Sequence, residues 1–321
     1  MRIAIAGAGS IGCYCGALLA RSGHDVTLLG RARILDPIRD KGLMVTDFSG
    51  LRCHVTNLSL TEDPAELSDA EIVIVTVKTG ATEEMAKDIG KHAPDAVILS
   101  WQNGLENAGT LRTMLPHHDV RAGMVPFNVV PTDTGGFHRA TSGEIVIQSG
   151  LGDLGAKLTG PDLPVSESDQ IEAVQWGKLV INLNNALNAL SGLTLKQQLL
   201  DRNWRQLMAD QVSEALTVLH SAGQPIVSMT PLPAWMTPYI LRLPTPLFSR
   251  VASRMLTIDS SARTSMAYDL MAGRPTEIDS LQGEIIRLGE RHGIATPICA
   301  QVREKIAQNP KSPLTPEQIR I

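Results

Sequence analysis

A strand-like apolar run from Arg2 to Ala8 leads into Gly7-Ala8-Gly9-Ser10-Ile11-Gly12, and a helix-like stretch from Ser10 to Ser22 comes next. The GxGxxG spacing acquires meaning only in that setting, where a strand gives way to a helix. Gly7 permits the tight turn, Gly9 lets the backbone approach a pyrophosphate, and Gly12 lets the helix pack closely on the strand. The helix N-terminus then offers unpaired N–H groups and a partial positive charge to phosphates. The segment Gly7–Gly12 is therefore the candidate dinucleotide loop.

The rest of the first half has the pattern such a loop requires. Asp25–Gly30, Glu71–Val77 and Ala96–Trp101 are short, apolar, β-branched runs, and helix-like segments Ala81–His92 and Glu106–Leu115 alternate with them. Strands alternating with helices predict a parallel sheet covered on both faces. Alternating residues around Ser49-Gly50, between Leu43 and Leu60, predict an inserted hairpin, and Gly143–Gln148 reads as one more strand. After about Ser166 only helical periodicity remains, over Asp169–Leu190, Trp204–Ala222, Glu277–His292 and Pro297–Gln308. A proline-rich interval from Pro225 to Pro246 predicts loops with short helical pieces. The expectation is an α/β chain: an N-terminal Rossmann-type parallel-sheet domain over residues 1–167, then an all-α domain over 168–321.

Composition narrows the function classes. The chain has 321 residues and a net charge of −4, so it has room for two cores but no basic excess to attract nucleic acid or an anionic membrane. Cys13, Cys15, Cys53 and Cys299 form no CxxC pair, and the first two sit at a helix start where packing is the expected role. No metal site is expected from the histidine spacing. The apolar N-terminal stretch is interrupted by Gly7, Gly9, Gly12 and Gly16, unlike the core of a signal peptide, so a cytoplasmic location is expected.

Strand ends supply further candidates. NAD-binding folds usually carry Asp or Glu at the end of the second strand to accept from the ribose hydroxyls. Here that strand ends Leu29-Gly30-Arg31, with Arg33 close behind. A guanidinium pairs with a 2′-phosphate through two hydrogen bonds, so NADPH is the expected cofactor and Arg31 its discriminator. Lys78 directly follows the strand run ending at Val77, Asn103 lies two residues past the one ending at Trp101, and ligands of open parallel sheets sit beyond such carboxyl ends.

In the second half, Lys178 and Asn182 lie one helical turn apart, and at about 100° per residue Asn185 returns to the same face while Asn184 points elsewhere. A lysine and two amides on one side of an apolar helix are costly to bury unpartnered. They make sense lining a polar cavity, or within a hydrogen-bond cluster; both readings stand at this point.

Together these segments resemble the ketopantoate reductase (2-dehydropantoate 2-reductase) family nearly end to end. The resemblance runs through Gly7–Gly12, Arg31, Val77-Lys78-Thr79, Gln102-Asn103-Gly104, Lys178-xxx-Asn182, Ser265-Met266 and Thr276-Glu277-Ile278-Asp279. It implies a helical domain like the C-terminal one of 6-phosphogluconate dehydrogenase. It also implies NADPH-dependent reduction of a 2-oxo acid, 2-dehydropantoate to (R)-pantoate, on the route to pantothenate and coenzyme A. By position, Lys178 is the implied general acid. Asn103, Asn182 and Ser265 are implied substrate ligands, with Asn103 also near the nicotinamide. Glu277 would accept from a substrate hydroxyl or a cofactor ribose and hold Lys178 charged. The implied cofactor contacts are Gly7, Ala8, Gly9, Ser10, Ile11, Gly12, Arg31, Lys78, Asn103 and Glu277.

Two departures bear on the substrate. The family commonly carries a second asparagine two turns after the lysine, where this chain has Ala186; Asn185, one position earlier, is expected to compensate. The interval Pro225–Arg263 is also longer than expected for the shortest members of the family. Alternatives are a reductase of the same fold acting on another 2-oxo acid, a β-hydroxyacid dehydrogenase, and a non-catalytic NADP-binding regulator. A small-molecule substrate is the expected partner, and a homodimer is left open.

Overall fold

In the computed structural model, residues 1–132, 134–230, 232–256 and 262–320 are described, without the side chains of residues 254 and 255. The chain forms two compact units, Met1–Glu172 and Ala173–Ile321.

Among the described residues, the first unit contains twelve strands: β1 (Arg2–Ala6), β2 (Asp25–Leu29), β3 (Leu43–Asp47), β4 (Arg52–Val55), β5 (Ser59–Thr61), β6 (Ile72–Val75), β7 (Val97–Ser100), β8 (Val120–Met124), β9 (Val129–Pro131), β10 (Phe137–Arg139), β11 (Ile145–Gln148) and β12 (Val165–Ser168). Helices α1 (Ser10–Arg21), α2 (Ala32–Lys41), α3 (Thr82–His92), α4 (Asn107–Met114) and α5 (Leu154–Leu158) join them. Eight strands make the main sheet in the order β12-β11-β8-β7-β6-β1-β2-β5. All its pairings are parallel except β8 with β11.

The period of two along the central strands explains why both faces are covered. Ile3 and Ile5 of β1, with Ile72 and Ile74 of β6, join the core on the α1 side. Ala4 and Ala6, with Val73 and Val75, join the core against Ala86 and Ile89 of α3 and Leu111 of α4. The hairpin expected around Ser49-Gly50 is present as antiparallel β3–β4. It extends into a second sheet, β4-β3-β10-β9, that packs on α1. There the buried Arg139 pairs with Asp47 at 2.8 Å and lies over the Tyr14 and Phe127 rings. Burial raises the thiols of Cys13, to about 12, and Cys15, which makes both packing residues.

The second unit is helical: α6 (Ile171–Asn182), α7 (Asn184–Ser191), α8 (Leu195–Leu200), α9 (Arg202–Ser221), α10 (Thr237–Arg242), α11 (Thr245–Val251), α12 (Ser265–Met271), α13 (Gln282–His292) and α14 (Pro297–Ala307). Two expectations change here. The periodicity over 169–190 is interrupted at Leu183, between α6 and α7, where the Gln282 amide donates to the Leu183 carbonyl at 2.8 Å. The helix expected from Glu277 begins at Gln282, after a 3₁₀ turn over Ile278–Ser280.

Within the Pro225–Arg263 interval, residues 231 and 257–261 lie outside those described. The rest is fastened by Arg205, which is 1% exposed. Its guanidinium donates to the carbonyls of Leu199, Leu241 and Leu243 and stacks 4.3 Å from the Phe248 ring centroid. Arginine suits this task because its fork supplies several fixed donors and a flat face.

Candidate active site

The glycine loop is shaped by its neighbours. Gly7 adopts φ +119°, and a Cβ there would meet the Val77 nitrogen at 2.8 Å. Its N–H and that of Ala8 both donate to the Leu29 carbonyl, at 3.0 and 2.9 Å, so the turn is tied to the end of β2. Thr76 Oγ1 donates to the Gly7 carbonyl at 2.6 Å, which ties it to the end of β6 as well. Gly12 lies against that carbonyl, leaving no room for a side chain.

Gly9 differs: a Cβ there would meet nothing within 4 Å. Its outer side is open, and it caps α1 with no side-chain hydrogen bond and no acidic residue in the first turn. The early N–H groups of an α-helix have no intrahelical partners, so Ser10, Ile11 and Gly12 begin a helix suited to an anion. The fit to a dinucleotide pyrophosphate is good.

Three loops meet at this end of the sheet. Gln102 donates to the Val77 carbonyl at 2.9 Å and to Thr82 Oγ1 at 2.8 Å, and accepts from Ser100 at 3.1 Å. Asn107 donates to the Asn103 carbonyl at 2.6 Å and to Thr79 Oγ1 at 3.2 Å, while accepting from Thr82 at 2.8 Å. This buried network fixes the backbone around Lys78, which is exposed, and Asn103, which is half-buried. Sequence reasoning missed Thr82 and Asn107. The only signal was polar residues at the starts of two amphipathic helices.

At the end of β2, Arg31 is exposed at the N-cap of α2 and caps nothing with its own side chain. The cap comes from elsewhere. Glu62, just past edge strand β5, accepts from the Ala32 N–H at 3.0 Å. A carboxylate thus reaches the backbone of the residue after Arg31, although the end of β2 itself supplies none.

In the second unit, Lys178 lies on α6, half-buried, and Glu277 is half-buried just before the 3₁₀ turn. Desolvation lowers the Lys178 ammonium from 10.5 to about 8, and the Glu277 carboxylate opposes that fall. The two residues, far apart along the chain, therefore act on one another. Asn182 ends α6, half-buried.

Asn184 turns into the core, exchanging hydrogen bonds with Gln198 at 3.2 and 3.0 Å. Ala186 is fully buried, while the Asn185 side chain is half-buried and its carbonyl accepts from Thr264 Oγ1 at 3.1 Å. Thr264 caps α12, whose first residue, Ser265, is exposed. Asn188, also unforeseen, is fully buried and accepts from the Thr264 N–H at 3.0 Å, pinning the start of α12 to α7.

Among the described residues, no group of three His, Cys, Asp or Glu is placed to hold a metal, and no helix is long and apolar enough to cross a membrane.

Comparison with known proteins identifies the family. The family profile described as ketopantoate reductase PanE/ApbA matches residues 3–152, and that of its C-terminal region matches residues 170–309. A 2-dehydropantoate 2-reductase of Halobacterium salinarum is 29% identical over 309 residues, spanning 93% of this chain and 95% of its own. The crystal structure of a PanE/ApbA family ketopantoate reductase from Ralstonia eutropha JMP134 superposes with a TM-score of 0.81 at 30% identity, covering 96% of this chain and 98% of that one. A D-mandelate dehydrogenase with NADH and anilino(oxo)acetate shares the fold, with a TM-score of 0.79 at 23% identity, covering 100% of both chains.

Proposed function

The chain belongs to the ketopantoate reductase family, an oxidoreductase family, and from that premise we propose that it reduces the ketone of 2-dehydropantoate to (R)-pantoate with NADPH. The observation that carries the reading is Lys178, an ammonium lowered to about 8 and opposed by Glu277. An acid with a pKa near working pH both holds its proton and releases it readily.

The open first turn of α1 would hold the pyrophosphate of NADPH, whose nicotinamide, when bound, would supply hydride for the ketone carbon. Lys178 delivers a proton from Nζ to the ketone oxygen, and the Glu277 carboxylate keeps that amine charged beforehand. Asn103, held by Asn107, orients the reacting end, while Lys78 lies with the cofactor. Asn182, Asn185 and the exposed Ser265 hydroxyl bind the substrate's oxygens. Arg31 pairs with the 2′-phosphate. A cytoplasmic location belongs to the same reading, and a homodimer is checked by light scattering.

Turnover followed at 340 nm tests the assignment. Ketopantoate reduction is expected, with kcat/KM higher for NADPH than for NADH; a preference for NADH rejects the role given to Arg31. The buried Ala186 favours one second reading, a reductase of another 2-oxo acid. Efficient turnover of an aromatic or branched 2-oxo acid, with none of ketopantoate, selects it.

A further inference from the structure

Resting on the reading that Arg31 faces the 2′-phosphate, we infer that Glu62 is a second specificity residue of the adenosine ribose site, one that accepts the 2′-hydroxyl and opposes a 2′-phosphate. Strand pairing sets its place. Edge strand β5 runs parallel to β2 with Thr61 opposite Leu29, and the Gly30 N–H donates to the Thr61 carbonyl at 3.0 Å. The next residue along each strand end is then Glu62 on one side and Gly30-Arg31 on the other. The Glu62 carboxylate reaches the Ala32 N–H at 3.0 Å, one residue from Arg31. Its neighbour Asp63 is occupied differently, capping the 3₁₀ turn at Pro64–Leu67 through the Ala65 N–H at 2.9 Å.

The consequence is electrostatic. In a NAD-binding sheet the acidic residue at the end of the second strand accepts from the ribose. Here the adjoining strand delivers a carboxylate to the same sheet end, onto the N–H of the residue that follows Arg31. Arg31 and Glu62 therefore act in opposite senses on a dianionic 2′-phosphate, and Glu62 acts with a free 2′-hydroxyl. The chain binds NADPH more weakly, relative to NADH, than Arg31 alone dictates.

Calorimetric titration of the full chain with 2′,5′-ADP and with 5′-ADP reads this without turnover. Glu62→Gln keeps an acceptor for the Ala32 N–H and removes the charge. The ratio of the 5′-ADP to the 2′,5′-ADP dissociation constant is expected to rise about two- to fivefold, the scale of an exposed charge pair. That gain should shrink in about 0.5 M salt, where such charges are screened, which a purely capping role does not predict. Glu62→Thr, a second uncharged variant of different shape, should move the ratio in the same direction, with melting curves confirming that each variant is folded. An unchanged or lowered ratio in both variants overturns the inference. Arg31→Ala separates the two claims: if it leaves 2′,5′-ADP affinity untouched, the Arg31 reading fails by itself. A normal loss in Arg31→Ala, with no effect at Glu62, removes Glu62 alone.

Discussion

At Lys178 two influences oppose each other: desolvation drives the proton off, and the Glu277 carboxylate keeps it on. A general acid works only while protonated, so ketone reduction should be flat below about pH 8 and decline as pH rises through that value. Lys178→Ala should lose about 10²–10⁴-fold in kcat, with 2′,5′-ADP affinity unchanged. Glu277→Gln removes the opposing charge, so the amine loses its proton more easily and the alkaline limb moves to lower pH. A limb that stays in place in that variant argues against the pair. Stability responds in the reverse sense. Because the folded value lies below 10.5, the unfolded chain binds more protons between about 8 and 10.5, and Lys178's contribution to stability improves with pH there. The sequence exposed Lys178 and Asn182 through helical spacing, and Glu277 through family resemblance. Glu62 was illegible because strand pairing brings it to the Ala32 N–H from well beyond the helix that Arg31 caps.

Elements place these side chains through buried polar contacts rather than propensity. The loop after β7 is held by Asn107, which bonds the Asn103 carbonyl, Thr79 and Thr82 together. Replacing it with alanine leaves those groups short of partners, at a cost of about 1–3 kcal/mol for a buried polar group. Asn107→Ala should therefore lower the denaturation midpoint and also reduce kcat, since Asn103 loses its backbone anchor. Equal kcat with lowered stability would confine Asn107 to folding. Periodicity found the strands β1, β2, β6 and β7 because alternating apolar residues serve two cores. It ran past the break at Leu183, where the added contact comes from Gln282, distant in sequence. It also missed β12, whose residues Val165–Ser168 are mostly polar and which is identified only by its pairing with β11.

For the molecule as a whole, β12 decides where the first unit ends. It pairs parallel with β11, where Ile145 and Ile147 are fully buried, and it is fastened twice more. Thr159 Oγ1 both accepts from the Val165 N–H at 3.0 Å and donates to its carbonyl at 2.7 Å, while Glu167 accepts from the Gly155 N–H at 2.8 Å. Removing the strand leaves β11 as an open edge and frees the α5 turn, an arrangement prone to intermolecular pairing. The glycine loop, its ties to Leu29 and Thr76, Arg31 and Glu62 all lie on residues before β12. A fragment of residues 1–172 should thus melt cooperatively and bind 2′,5′-ADP with an affinity within a few-fold of the whole chain. A fragment ending at residue 163 should melt lower or aggregate, although it retains every proposed adenosine contact. Circular dichroism melts and calorimetry on the two fragments check this. Equal stability would show that β12 is dispensable, and failure of the longer fragment to bind would show that the first unit does not hold the nucleotide by itself.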